Sequence, residues 1–227
     1  SQNINMNWQQ QGFLISKRKF RENANIINVF TEKFGRVNGI VYGGNSRKIR
    51  NYLQLSNKIL IFYNSKGDNK IGYFKTELVE PIAPKYFNDN KRTSALLSLT
   101  SILNILLPES QPYLGVYKSL TDLIKHFDRE DWALLYVFWE LNLIKELGFD
   151  PNLSNIKTDK LINNQFVEHS VDGINYKIPS FFITKSIPKL INDELIKQSL
   201  FFTRSILLNK FFIPNNLIFP KSRSLLE

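Results

Sequence analysis

G-R-V-N-G-I-V-Y-G-G-N-S-R-K-I-R, residues 35–50, decides how the first third of this chain is read. Its first eight residues alternate. Val37, Gly39 and Val41 fall on one side and Asn38, Ile40 and Tyr42 on the other, the period of a strand with one covered face. Gly43-Gly44 closes the strand and opens a basic loop, with neither a P-loop nor a G-x-G-x-x-G spacing to suggest a nucleotide. Outward from here lie four more apolar runs, at 12–16, 25–31, 58–63 and 71–79, the last two joined by the turn Lys66-Gly67-Asp68-Asn69. Five short strands joined by turns predict a small β-barrel, with an open meander or half-sandwich as the other architecture this pattern allows.

Pro81 and Pro84 end the strand-rich part, and the period then becomes helical. Helices are predicted over 92–107, stopped by Pro108, over 113–127, and over 131–147 with Gly148 at the position of a C-terminal cap. Residues 150–190 are Asn-rich and irregular, with room for one hairpin. A last helix over 193–212 carries Asp193 and Glu194 in its first turn and Lys210 in its last, each suited to the helix dipole. The expected class is α+β, with a barrel domain over 1–80 and a mainly helical domain over 81–227 holding a loop-rich insert.

The chain has 227 residues and is 43% hydrophobic, enough for a packed core. Its net charge is +10, from 30 Lys/Arg against 20 Asp/Glu. Residues 1–80 hold 13 of these cations and only 5 of the acids, so the attraction for a polyanion sits in the barrel. There is no cysteine, which excludes disulfides and thiolate zinc and fits a reducing cytoplasm. No run reaches the ~20 apolar residues of a membrane span, and the N-terminus lacks the basic–apolar–small pattern of a signal peptide.

Catalytic constellations are poorly represented. The two histidines are His126 and His169. His126 stands in H-F-D-R-E-D beside Asp128, Glu130 and Asp131, which reads as the acidic start of the next helix in preference to a metal site. The expectation is therefore no enzyme, no metal and no cofactor. A metal-dependent nuclease using Asp128 or Asp131 is the enzymatic alternative, and an RNA-binding barrel protein or a protein-binding adaptor are the non-enzymatic ones.

Basic clusters carry the functional signal. Lys17, Arg18, Lys19 and Arg21 surround Phe20; Arg47, Lys48 and Arg50 follow the third strand; Arg36 lies between. On neighbouring strands and loops, these groups would neutralise phosphates, while Phe20 and Tyr42 could stack on unpaired bases. About five such contacts to a single strand would give a log–log salt slope near −3.5, at ~0.7 per contact. Glu140 and Arg204 each sit in strongly apolar helices. A lone charge in a core is costly, so the two are expected to pair.

Taken in order, Trp8, Gly12, F-T-E-K-F-G-R at 30–36, G-x-V-x-G-G at 39–44, S-R-K at 46–48, Leu53-Gln54, G-Y-F-K-T-E-L-V-E at 72–80, L-L-P-E at 106–109, F-W-E-L-N-L-I-K-E-L-G-F at 138–149, Thr203-Arg204 and P-K-S-R at 220–223 resemble the RecO recombination mediators. The resemblance implies an N-terminal OB-fold and a helical domain. It implies binding of single- and double-stranded DNA and annealing of complementary strands without nucleotide hydrolysis. It also implies partnership with RecR in helping RecA displace single-strand-binding protein, whose acidic C-terminal tail the helical domain would receive. On that reading the protein works in the bacterial cytoplasm at the nucleoid. Arg92, Lys125 and Arg129 are candidate partners for the tail's carboxylates. Many members carry cysteines in the insert, some as a zinc site; here Asn155 stands where a cysteine is common, so zinc is not expected.

Overall fold

In the computed structural model, which describes residues 7–43, 46–67 and 70–227, the alternating runs close into a barrel. Its strands are β1 (Trp8–Phe20), β2 (Ala24–Thr31), β3 (Gly35–Tyr42), β4 (Lys58–Asn64) and β5 (Tyr73–Glu80), in the order β1-β2-β3-β5-β4. All neighbours are antiparallel except β3 and β5, whose parallel seam pairs Ile40 with Tyr73 and is held by Ile40 N–H donating to Gly72 O at 2.9 Å. This is the five-stranded OB-type barrel expected. Gly44-Asn45, Asp68-Asn69 and residues 1–6 lie outside the described residues.

The barrel is filled from the inward rows of its strands. Leu14, Ile27, Val29, Val37, Val41, Ile59, Ile61 and Phe74 are buried together, each side chain of this kind contributing about 1.5–3 kcal/mol. Gly39 stands in the inward row between Val37 and Val41 because Phe74 occupies the space: a Cβ there would fall 2.6 Å from the ring. The first strand is much longer than its apolar run, 13 residues, because its polar ends pair at the barrel margins with their side chains exposed.

The basic segment after β3 is a helix and not the loop expected. α1 (Arg47–Tyr52) starts at Ser46, whose Oγ accepts from Ile49 N–H at 3.3 Å. Ile49 and the fully buried Leu53 fasten it to the barrel interior. Asn57 locks its far end: Nδ2 donates to Tyr52 O, while Oδ1 accepts from Ile82 and Ala83 N–H.

The chain divides into two compact units, the first running through Tyr117 and regaining Pro220–Leu226, the second comprising Lys118–Phe219 with Glu227. Besides the barrel, the first holds α2 (Asn90–Leu106), capped by Asp89, and α7 (Lys221–Ser224), which packs on α2. The division falls within α3 (Leu114–Lys125).

In the second unit α4 (Trp132–Glu146) packs on α6 (Asp193–Leu207), which runs on into a π-helical turn over Leu208–Phe212. The insert contains one hairpin, β6 (Phe166–Val171) with β7 (Ile174–Pro179), turned by Asp172-Gly173, both at positive φ. The short helix α5 (Phe181–Thr184) follows. This cysteine-free lobe is held by rings: Phe138, Phe181, Phe182, Phe202 and Tyr176 form a connected aromatic cluster. Asn155 ends the 3-10 turn Leu153–Asn155. Among the described residues no helix is long and apolar enough to cross a membrane.

The expected pairing of Glu140 with Arg204 is corrected. Glu140 is fully buried, and its oxygens accept from Tyr136 Oη at 2.8 Å and Thr203 Oγ1 at 2.7 Å. Arg204 Nε instead approaches Glu227 Oε2 at 2.9 Å, off the angle of a hydrogen bond. Each helical residue turns the side chain by about 100°, and it is Thr203 that faces the acid.

Candidate nucleic-acid interface

Strand register sorts the basic residues. Phe20, Ala24 and Tyr42 are paired across β1, β2 and β3, and so share a face at one end of the barrel. The next row on that face is Arg18, Ile26 and Ile40. Ala24, Ile26 and Ile40 make a small outer cluster on which Phe20, Ile71 and Tyr73 lie. The alternate rows hold Lys17 against Ile27 and Lys19 against Asn25, both exposed, and Lys17 reaches the residue that ends α1. Lys17 Nζ donates to Leu53 O at 2.8 Å, and burial pushes its ammonium below the ordinary value.

On the outer face, Tyr42 and Tyr73 lie with ring centroids 5.1 Å apart and planes 31° from parallel. Lys66 Nζ stands 4.6 Å from the Tyr73 centroid, and the Arg21 guanidinium lies 5.0 Å from that of Phe20. Tyr73 is lowered from the ordinary phenol value, first by its hydrogen bond with Lys66 and then by one with Tyr42; Tyr42 is raised, first by that same bond to Tyr73. Both phenols feel the positive charge of Lys66 and Arg21. Tyr42 keeps 49% of its surface exposed. Rings and cations together at a surface are the parts of a single-strand stacking platform.

Arg47, Lys48 and Arg50 are exposed on α1, and among the described residues none has a side-chain hydrogen-bond or ion-pair partner. Helix and platform border one groove, to which α1 contributes Ile49 and Tyr52 and the barrel Tyr42, Lys66 and Tyr73.

Arg36 does not join this assembly. It is the second residue of β3, six residues from Tyr42, which is roughly 20 Å along a strand. Its guanidinium is already engaged, Nε donating to Leu107 O at 2.9 Å and Nη1 to Asn28 Oδ1 at 3.0 Å. It ties the segment after α2 to the barrel. Arg36→Ala is therefore expected to cost about 1–3 kcal/mol of stability and to leave the salt slope of DNA binding unchanged, as thermal melts and salt titrations of one preparation would show.

Tyr73 and Lys66 were not among the sequence candidates. Lys66 was read only as part of a turn and Tyr73 only as a strand residue, and nothing local joins them to Tyr42. Of the residues considered for an acidic tail, Arg92 is paired with Asp89 at 2.7 Å, and Arg129 grips Asp131 through Nε at 2.9 Å and Nη2 at 2.7 Å. Lys125 closes α3. Asp131, one of the two acids named for the nuclease alternative, is thus an arginine partner, and His126 Nδ1 meets Asp122 O at 3.0 Å.

A barrel of order 1-2-3-5-4 with a helix between its third and fourth strands, cations and rings at one end, and a helical body behind it in sequence defines an OB-fold protein. Comparison with known proteins gives the family. Residues 6–82 match the family model described as Recombination protein O N terminal, and residues 88–157 the one described as Recombination protein O C terminal. The chain belongs to the RecO family, whose members are DNA repair proteins. It is 28% identical over 240 aligned positions to DNA repair protein RecO of Wolbachia pipientis wMel, covering 97% of this chain and 99% of that one. It is 32% identical over 150 positions to DNA repair protein RecO of Ruegeria sp. strain TM1040 and 34% over 147 to that of Roseobacter denitrificans. Those two matches cover 66% and 63% of this chain, and 62% and 60% of the relatives, less than two thirds of their length.

Proposed function

We propose that this chain is a non-enzymatic recombination mediator: it binds single- and double-stranded DNA, anneals complementary strands, and with RecR assists the loading of RecA onto DNA covered by single-strand-binding protein. The observation that carries the reading is the gathering of exposed cations, Arg47, Lys48 and Arg50 on α1 and Arg18 and Arg21 at the end of β1, with the Tyr42–Tyr73 pair. Cations hold the phosphates of either form of DNA, and the rings hold bases while they are unpaired. Annealing by this route needs no nucleotide and no cofactor, since two strands held on a neutralising surface pair spontaneously.

Strand annealing in the presence of single-strand-binding protein, with and without that protein's acidic C-terminal tail, tests the reading. Annealing that depends on the tail is the expected result. Annealing that is absent, or indifferent to the tail, contradicts mediation.

A further inference from the structure

The groove beside the Tyr42–Tyr73 pair is larger than a phosphate ridge requires. It measures about 650 Å³, within the range of small-molecule sites. It lies along the parallel β3–β5 seam, with Val41 and Phe74 among its apolar lining. Tyr52 comes from the α1 side and is held in place, its hydroxyl 2.7 Å from Thr76 Oγ1 and 2.9 Å from Thr76 O. Lys66 and Lys75 supply positive charge.

The remaining polar side chain is Asn64, the last residue of β4. Among the described residues its amide has no hydrogen-bond partner. A carboxamide offers two donors and an acceptor from one group, which is the chemistry that reads a base edge. Around it stand rings to stack on and ammonium groups for the adjoining phosphates.

The geometry points to a pocket for one unpaired nucleobase, with Asn64 on its edge and the Tyr42–Tyr73 pair against one face. A base inside a duplex is stacked and cannot enter without being flipped out, which costs free energy. The groove therefore separates single from double strands, while Arg47, Lys48 and Arg50 bind both. This rests on the DNA-binding reading above and adds to it the residues that recognise strandedness.

The test uses the full-length protein and three probes of equal length: a single strand, a duplex, and a single strand made entirely of abasic sites. The double variant Asn64→Ala with Tyr42→Ala is compared with the unaltered chain; both changes are at residues not fully buried, and circular dichroism checks the fold. The expected result is a loss of about tenfold or more in affinity for the single strand, with duplex affinity within twofold. On the abasic strand the variant and the unaltered chain are expected to bind alike. Equal losses on all three probes, or no loss on the single strand, overturn the pocket and leave DNA binding standing. If the unaltered chain binds none of the probes at low salt, the DNA-binding reading itself falls, and the pocket with it.

Discussion

Under the proposed function, changing Arg47, Lys48 and Arg50 together to alanine is expected to weaken binding to single-stranded DNA by roughly 10- to 100-fold near 0.1 M salt and to flatten the log–log salt slope by about 2, three contacts at ~0.7 each. The helix should survive the change. Alanine favours a helix more than the residues it replaces. The cap at Ser46 and the anchors at Ile49 and Leu53 are untouched. The loss is therefore a loss of charge and not of fold. Anisotropy titrations at several salt concentrations measure both quantities. Loss of affinity without a change of slope would mean that these side chains do not neutralise phosphates.

Glu140→Ala is expected to be strongly destabilising, at about 2–5 kcal/mol, from the cavity and the lost hydrogen bonds. It removes the carboxylate that accepts from the Tyr136 and Thr203 hydroxyls in a fully buried site, and it opens a cavity between α4 and α6. The melting temperature should fall by about 10 °C or more. Arg204→Ala provides the contrast. Its ion pair with Glu227 is partly exposed, 33% and 21% by side chain, and such pairs contribute about 0–1 kcal/mol. Had Glu140 and Arg204 been partners, the two changes would cost alike. Melting both variants beside the unaltered chain distinguishes the cases.

The barrel was legible because the third strand alternates at a period of two and the other strands are short apolar runs bounded by turns. The four long helices after Pro84 were legible from their own period, to within a residue or two at most ends, while the four-residue helices α5 and α7 were too short to show one. α1 was not. Its six residues, R-K-I-R-N-Y, are mostly polar, and two anchors, Ile49 and Leu53, are too few to show a period. Only the Ser46 cap marked it, and a serine before a basic run also reads as a loop. The Glu140 partner failed by one position: the sequence pointed to the right stretch of α6, but Thr203 and not Arg204 faces α4.

The site was half legible. Charge density marked the α1 and β1 cations as candidates, because residues clustered in sequence on short elements lie near one another in space. Arg36 belonged to the same count but lies at the far end of its strand, where its guanidinium serves the fold. Tyr73, Lys66 and Asn64 were missed. They reach Tyr42 only because β3 and β5 pair in parallel to close the barrel, a contact between distant residues that no local pattern announces.

Under the proposed function, a DNA strand lies across the end of the barrel formed by β1, β3, the end of β4 and α1. The most direct measurement is photocrosslinking of the full-length protein to single strands carrying 5-iodouracil, with the adducts mapped by mass spectrometry. Adducts on Phe20, Tyr42 or Tyr73 are the result expected. Adducts confined to residues 118–219, or gathered on Trp8 and Phe34 away from the cations, would contradict it.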